Sequence, residues 1–445
     1  MPVVTETEDS HLQAYSGSCT QVTTRAGHAC PDSNRFPKKP MISMKAIPLA
    51  ALAAVAAMDS VHAAERLAIT ASHDLAQARP AETITVPWAE VNRALPGALL
   101  QKITVRDATG KALPYQVTNV LPEAKDPEGR GIAYGELIFQ HDFAAGERSA
   151  TFTVEKSESV SPPFPSKVFA RYVPERLDDF AWENDKVAHR TYGPALGAPA
   201  GPGSDKEVLV TSGLDIWFKR VDYPIVDRWY NKGHDHYHHD EGEGMDMYNV
   251  GRSRGAGGTG IWDGKALATG RNYAKWKVLA NGPVRAIFEL SYDSWDAAGA
   301  RVSEVKRFTV DAGRYFDQVE STFTFTGVPS LTAALGLNRN PADKGQEPVV
   351  TVGRAAGSLS QWVEQKSNGA FGVAVILPSA EGYAQDALNE LITAPVTSGK
   401  PLRYYVGAAW SRGSPFASKA DWDRFIAAET ARIRSPLRIS LKAGQ

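Results

Sequence analysis

Within Gly233-His-Asp-His-Tyr-His-His-Asp-Glu-Gly-Glu-Gly-Met-Asp246, histidines and carboxylates crowd one short stretch. His234, His236 and His238 stand at i, i+2 and i+4, which on a strand would place them on one face with His239 opposite. Imidazole titrates near neutrality, so His236 and His238 are the leading acid/base candidates, with Tyr237 and Glu243 beside them. His234, His236, His238 and Asp240 are also an adequate nitrogen and oxygen ligand set for zinc or a similar divalent ion. Gly233, Gly242 and Gly244 favour a loop, where the strand spacing lapses. Direct acid/base chemistry is therefore preferred, no cofactor is favoured, and a divalent metal is the lesser alternative.

Around this stretch lie six of the ten tryptophans: Trp182, Trp217, Trp229, Trp262, Trp276 and Trp295. Exposed indoles match the flat faces of sugar rings, and guanidinium groups match uronate carboxylates. Arg252 is the leading carboxylate partner. Trp182, Trp217, Trp262, Trp276, Arg254 and Arg285 join the expected substrate-binding set. The glycine-rich run Gly251–Gly260 lacks the G-x-x-x-x-G-K-[ST] pattern of a phosphate loop, and no G-x-S-x-G elbow occurs.

These residues need elements to hold them, and the pattern is that of strands. Residues 65–157 alternate in short runs separated by glycine turns, as at Lys102-Ile-Thr-Val-Arg-Asp before Ala108-Thr-Gly110. Residues 158–167, rich in proline, read as a linker. Residues 168–445 continue in strands. Val302–Val310 and Tyr315–Phe325 form a hairpin about Asp311-Ala-Gly313. In Pro283–Tyr292, Val284, Ala286, Phe288 and Leu290 share one face, while Arg285, Ile287, Glu289 and Ser291 share the other. One helix is expected at 418–433, opened by Ser418 with Asp421 three residues on.

The chain has 445 residues, with 49 Lys plus Arg against 50 Asp plus Glu, a net charge of −1. Without a basic excess, nucleic acid is not an expected partner. Lys45, the apolar run Ala46–Met58 and the small residues of Val61-His-Ala63 read as an export signal over 44–63, cut after Ala63 or Ala64. Residues 1–43 then read as a non-native upstream extension, and the protein is expected to be periplasmic or secreted. Both cysteines, Cys19 and Cys30, precede the cut, so no disulfide partner and no thiol chemistry is expected. No segment reads as a membrane span.

Phe169-Ala-Arg-Tyr-Val-Pro-Glu-Arg-Leu-Asp-Asp-Phe-Ala-Trp-Glu-Asn-Asp185, Arg190-Thr-Tyr-Gly193, Gly213-Leu-Asp-Ile-Trp217, Gly260-Ile-Trp262 and Trp276-Lys-Val-Leu-Ala-Asn-Gly-Pro283 resemble the bacterial family DUF4861, over about residues 65–440. The resemblance implies an all-β fold. In it an antiparallel β-supersandwich of the galactose-mutarotase-like kind follows an N-terminal β region and carries the C-terminal helix. It also implies an exported protein of glycan-degrading bacteria, in settings that suggest pectin or other uronate polymers. With it, Glu183, Arg190 and Tyr192 complete the expected substrate-binding set.

Three functional classes remain open. The first is a lyase that cleaves uronate-containing glycans by β-elimination, which needs a neutralised carboxylate, a base and an acid. The second is a glycoside hydrolase or sugar epimerase on the same fold, for which Glu183, Asp215, Glu243 and Glu289 are available. The third is a non-catalytic glycan-binding protein. The lyase is preferred.

Overall fold

The computed structural model describes residues 66–118, 135–342 and 347–444. The expected upstream stretch, the export signal and both cysteines lie outside the described residues.

Alternation in the first strands buries one face and wets the other, as in Arg66–Ser72 and Arg79–Pro87. Two sheets result. One runs in the order Arg438–Gly444, Arg66–Ser72, Ser149–Lys156, Ile103–Asp107, Ala112–Leu113, and the other Arg79–Pro87, Glu136–Phe143, Tyr115–Thr118. Ile69, Ile84, Val105, Phe139, Phe152 and Val154 fill the space between them. The last strand of the chain thus returns to the first, with Ile69 opposite Leu441, although the sequence groups it with the larger region.

The larger region joins an eight-stranded antiparallel sheet to two five-stranded sheets. The expected hairpin pairs Ala300–Asp311 with Phe316–Phe325, and Gly313, at φ 75°, turns it. Phe288, Phe308, Val319, Val373 and Val406 of the large sheet meet Phe180, Trp182, Ile216 and Leu335 from the two smaller ones. Each such side chain, once fully buried, contributes about 1.5–3 kcal/mol. The helix Lys419–Arg434 lies on the outer face of the large sheet, through Trp422 and Ile426 against Phe316, Trp362 and Ala374. Ser418 caps it by accepting a hydrogen bond from the Asp421 amide.

The fold is β-rich rather than strictly all-β. Short helices at Trp88–Ala94, Pro194–Gly197, Val226–Lys232 and His234–Tyr237 accompany the long one. Two of them matter for the site. The sheet Gly244–Asp246, Leu214–Lys219, Val187–Thr191, Asp179–Glu183, Phe169–Val173 gives one face to the core. Val226–Lys232 and His234–Tyr237 cover the other, with Trp229, Tyr230 and Tyr237 packed on Ala181, Ala188 and Trp217. Strands buried on both faces have no water for a polar side chain, so any charge on them must find partners within the protein. No helix among the described residues is long and apolar enough to cross a membrane.

Candidate functional site

Arg190 sits on one of these doubly covered strands and is 5% exposed. Its Nε donates to Asp215 Oδ2 at 2.7 Å and one terminal nitrogen donates to Asp246 Oδ2 at 2.9 Å. The other donates to the Tyr237 hydroxyl at 3.3 Å and lies 3.7 Å from Asp179 Oδ2. Tyr192 donates to Asp215 and Tyr230 to Asp179. The guanidinium also lies over the rings of Tyr192, Trp217 and Tyr237.

Three carboxylates around one guanidinium leave negative charge in a dry place. Burial, opposed by Arg190, pushes the Asp179 carboxyl up to about 6. Burial and the nearby Asp215 hold Asp246 well above the usual carboxylate range. The Oδ1 of Asp179 has no hydrogen-bond partner among the described residues. Arg176 supplies a second cation. It donates to Glu207 Oε2 at 2.8 Å; burial lowers its pKa, but the nearby Asp179 and Tyr237 together raise it above the ordinary value. Between Arg176 and Asp179 the chain passes through Leu177 and Asp178 at φ 50° and 66°, the left-handed region that non-glycine residues rarely adopt. Gly193 admits this turn. A Cβ there would lie 1.7 Å from the Asp178 carbonyl oxygen.

His238 lies at the outer edge of the network, with 39% of its side chain exposed. Its Nδ1 is 3.3 Å from the Asp246 carbonyl oxygen and 3.9 Å from Asp246 Oδ2. A carbonyl only accepts, so Nδ1 holds the proton and Nε2 keeps its lone pair. Burial lowers the His238 pKa, His234 and Arg190 add to this, and the hydrogen bond to Asp246 opposes it. His234 Nε2 faces His238 Nε2 at 3.4 Å.

The other expected residues divide. Arg190, Tyr192, Trp217, Tyr237 and His238 come together. Trp217 is no sugar platform: it is 1% exposed, stacked on Tyr237 at 4.7 Å, and donates to Asp246. His236 turns to Glu241 at 2.9 Å, and Asp240 to Arg220 at 2.8 Å, because a helix rather than a strand separates them. The four-ligand set is thereby dispersed, and among the described residues no group of three or more His, Cys, Asp or Glu converges as a metal site.

Glu243 accepts from Tyr223, Arg228 and Trp229, and these bonds outweigh burial and hold its pKa down. Glu183 accepts from Lys219 and from the amides of Ile225 and Val226, tying the strand to the start of the first covering helix. Trp182 is sealed in the core and donates to Asp317. Arg252 is exposed and meets Arg254 through its own carbonyl. Arg254 is buried against Ser212 and Thr211, and burial lowers its pKa to about 10. Trp262 is half-buried, and Trp276, 45% exposed, stacks on Tyr172.

Arg285 binds Asp311 and lines a cavity of about 340 Å³ between the N-terminal sheets and the large sheet, with Arg79, Arg314 and Arg432. There Arg79 pairs with Glu82, while Arg314 and Arg432 pair with Glu429. Two further cavities lie beside Trp295 and beside Lys219. None of the three is lined by His234 or His238, whose face is open.

Sequence reasoning missed Asp179, Asp246, Arg176 and Tyr230. The signal was a charged residue inside an otherwise apolar strand, as in Asp179-Phe-Ala-Trp.

A family model described as a domain of unknown function, DUF4861, matches residues 71–439. The chain belongs to the DUF4861 family. The matched span contains Arg190, its three carboxylates and both facing histidines. A relative, "Uncharacterized protein P7" of Formosa agariphila, is 30% identical over 392 residues, covering 85% of this chain and 94% of that one. Among solved structures, an α-mannosidase from Enterococcus faecalis is similar at a TM-score of 0.46 and 10% identity, over 86% of this chain and 46% of that one. A glycosyl hydrolase family 38 protein from the same organism is similar at 0.43 and 10%, over 86% and 48%. This DUF4861 chain thus spans less than half the length of either solved chain.

Proposed function

We propose that this protein is an exported carbohydrate-active enzyme, a lyase that cleaves uronate-containing, pectin-like oligo- or polysaccharides by β-elimination. The observation that supports this reading is His238, held by the Asp246 carbonyl so that a neutral Nε2 faces His234 Nε2 at the exposed edge of a buried arginine–carboxylate network. Neutral imidazole near neutral pH suits a general base. Arg176, which pairs with the exposed Glu207 at 2.8 Å and stands near Asp179, is the group assigned to the substrate carboxylate, which would take the place of Glu207.

In the proposed step, His238 Nε2 takes the proton from the carbon beside the uronate carboxylate. The C4–O4 bond breaks as the C4=C5 bond forms. The proton passes to O4 by way of His234 Nε2, 3.4 Å away. Arg176 stabilises the charge that develops on the carboxylate. Arg190 does not touch the sugar; it fixes Asp246 and Tyr237, and through them His238.

Asp179, Asp215 and Asp246 are each under 5% exposed and do not reach a glycosidic oxygen, which sets hydrolysis by a carboxylate pair behind elimination. No histidine lines the cavity that holds Arg79, Arg285, Arg314 and Arg432, which leaves those arginines without an imidazole base beside them. The test is incubation with uronate oligosaccharides. Products absorbing as conjugated unsaturated uronates support the reading, and products that have gained water overturn it.

A further inference from the structure

We infer that His234 and His238 form a binding site for one divalent transition-metal ion, held by their two Nε2 atoms. The histidines lie one helical turn apart, across His234–Tyr237 and its C-terminal residue. His238 turns its Nδ1 to the Asp246 carbonyl at 3.3 Å, and His234 Nδ1 has the exposed Asp235 carboxylate 3.5 Å away. His238 then holds its proton on Nδ1, and its Nε2 lone pair faces His234 Nε2 across 3.4 Å. A proton on His234 Nε2 or a metal ion between the two nitrogens joins them at that separation.

The spacing suits a metal. Nitrogens bound at about 2.0–2.1 Å in a tetrahedral arrangement lie about 3.4 Å apart. Ligand histidines ordinarily donate their other ring N–H to a carbonyl or carboxylate, which fixes tautomer and orientation. Asp246 offers His238 both, with its carboxylate 3.9 Å from the same Nδ1. No third protein ligand converges among the described residues, so the ion keeps positions open to water or to a sugar oxygen. Two imidazoles select copper, nickel, zinc and cobalt over magnesium and calcium.

The site goes beyond the elimination reading and stands independently of it. A metal on His238 Nε2 occupies the lone pair that the proposed base needs, so under that reading zinc inhibits.

The test is calorimetric titration of the full chain, purified without a polyhistidine tag, with Ni²⁺ and Zn²⁺ at pH 7.5 and 5.5. The expected result is one ion per chain. Binding should be at least tenfold weaker at pH 5.5, and at least tenfold weaker in His234→Gln or His238→Gln. His239→Gln should bind as the wild type does. Nitrogen-15 NMR of the unaltered protein guards against misfolded variants: added Zn²⁺ should shift the Nε2 signals of His234 and His238 alone. No binding, binding indifferent to both variants, or shifts confined to other histidines overturns the site. Turnover that requires the metal would overturn His238 as the base and leave the metal site standing.

Discussion

His238 Nδ1 lies 3.3 Å from the backbone carbonyl of Asp246, whose side chain takes a hydrogen bond from buried Arg190. One residue thus orients the exposed imidazole through its main chain and anchors to the core through its carboxylate. The precision of the surface group is set by the burial of the charged one.

His238→Ala is expected to lower turnover on a uronate oligosaccharide by about a hundredfold or more, the usual loss for a general acid or base. The circular dichroism spectrum should not change, because the side chain is partly exposed. Wild-type turnover would remove His238 from the reaction.

The pH profile follows from the same group. Burial lowers the His238 pKa, so the neutral base persists to more acidic pH than for a free imidazole. The acid limb of kcat/KM should bend below about 6.5, the ordinary histidine value. A limb bending above it would contradict the assignment.

Arg176→Gln should raise KM for a uronate substrate and lower kcat/KM by tenfold or more, while Arg252→Gln changes neither. Steady-state kinetics on both variants separate the sequence-based choice of Arg252 from the proposed role of Arg176.

Arg190→Met leaves Asp179, Asp215 and Asp246 without their shared cation. Removing one partner of a buried ion pair costs about 3–5 kcal/mol. Denaturant unfolding at neutral pH should register a loss of that order.

A second buried pair makes a pH prediction. His189 Nε2 lies 3.6 Å from Asp317 Oδ2, and burial takes Asp317 up to about 7 and His189 down to about 4. Folding therefore puts a proton on Asp317 and removes one from His189. The Asp317 contribution declines as pH rises from about 4 to 7. The His189 contribution declines as pH falls from about 6.5 to 4. The two slopes oppose each other. Asp317→Asn should unmask the histidine, and the variant should lose up to about 1.4 kcal/mol per pH unit, relative to wild type, as pH falls through that window. Parallel stability curves would refute the pairing.

The hairpin about Gly313 and the helix Lys419–Arg434 were legible because local signals, a positive-φ turn and a serine cap, agree with the packing that completes them. The His stretch was legible as chemistry and not as geometry. Its spacing would share one face on a strand and its glycines favour a loop, but packing of Tyr237 on Trp217 curls it into a helical turn and parts His236 from its neighbours. Trp217 was misjudged because an indole reads alike whether it faces sugar or core. Asp246 stayed hidden because its partner Arg190 is distant in sequence, and only the pairing of Leu214–Lys219 with Gly244–Asp246 on one side and Val187–Thr191 on the other joins them.

The central claim is elimination on a uronate glycan, and mass spectrometry of products from a panel of uronate oligosaccharides tests it most directly. The account predicts fragments whose masses sum to that of the substrate, one bearing an unsaturated uronate end, formed about a hundredfold or more slowly by His238→Ala. Fragments whose summed mass exceeds the substrate by one water, or an unchanged substrate across the panel, would contradict it.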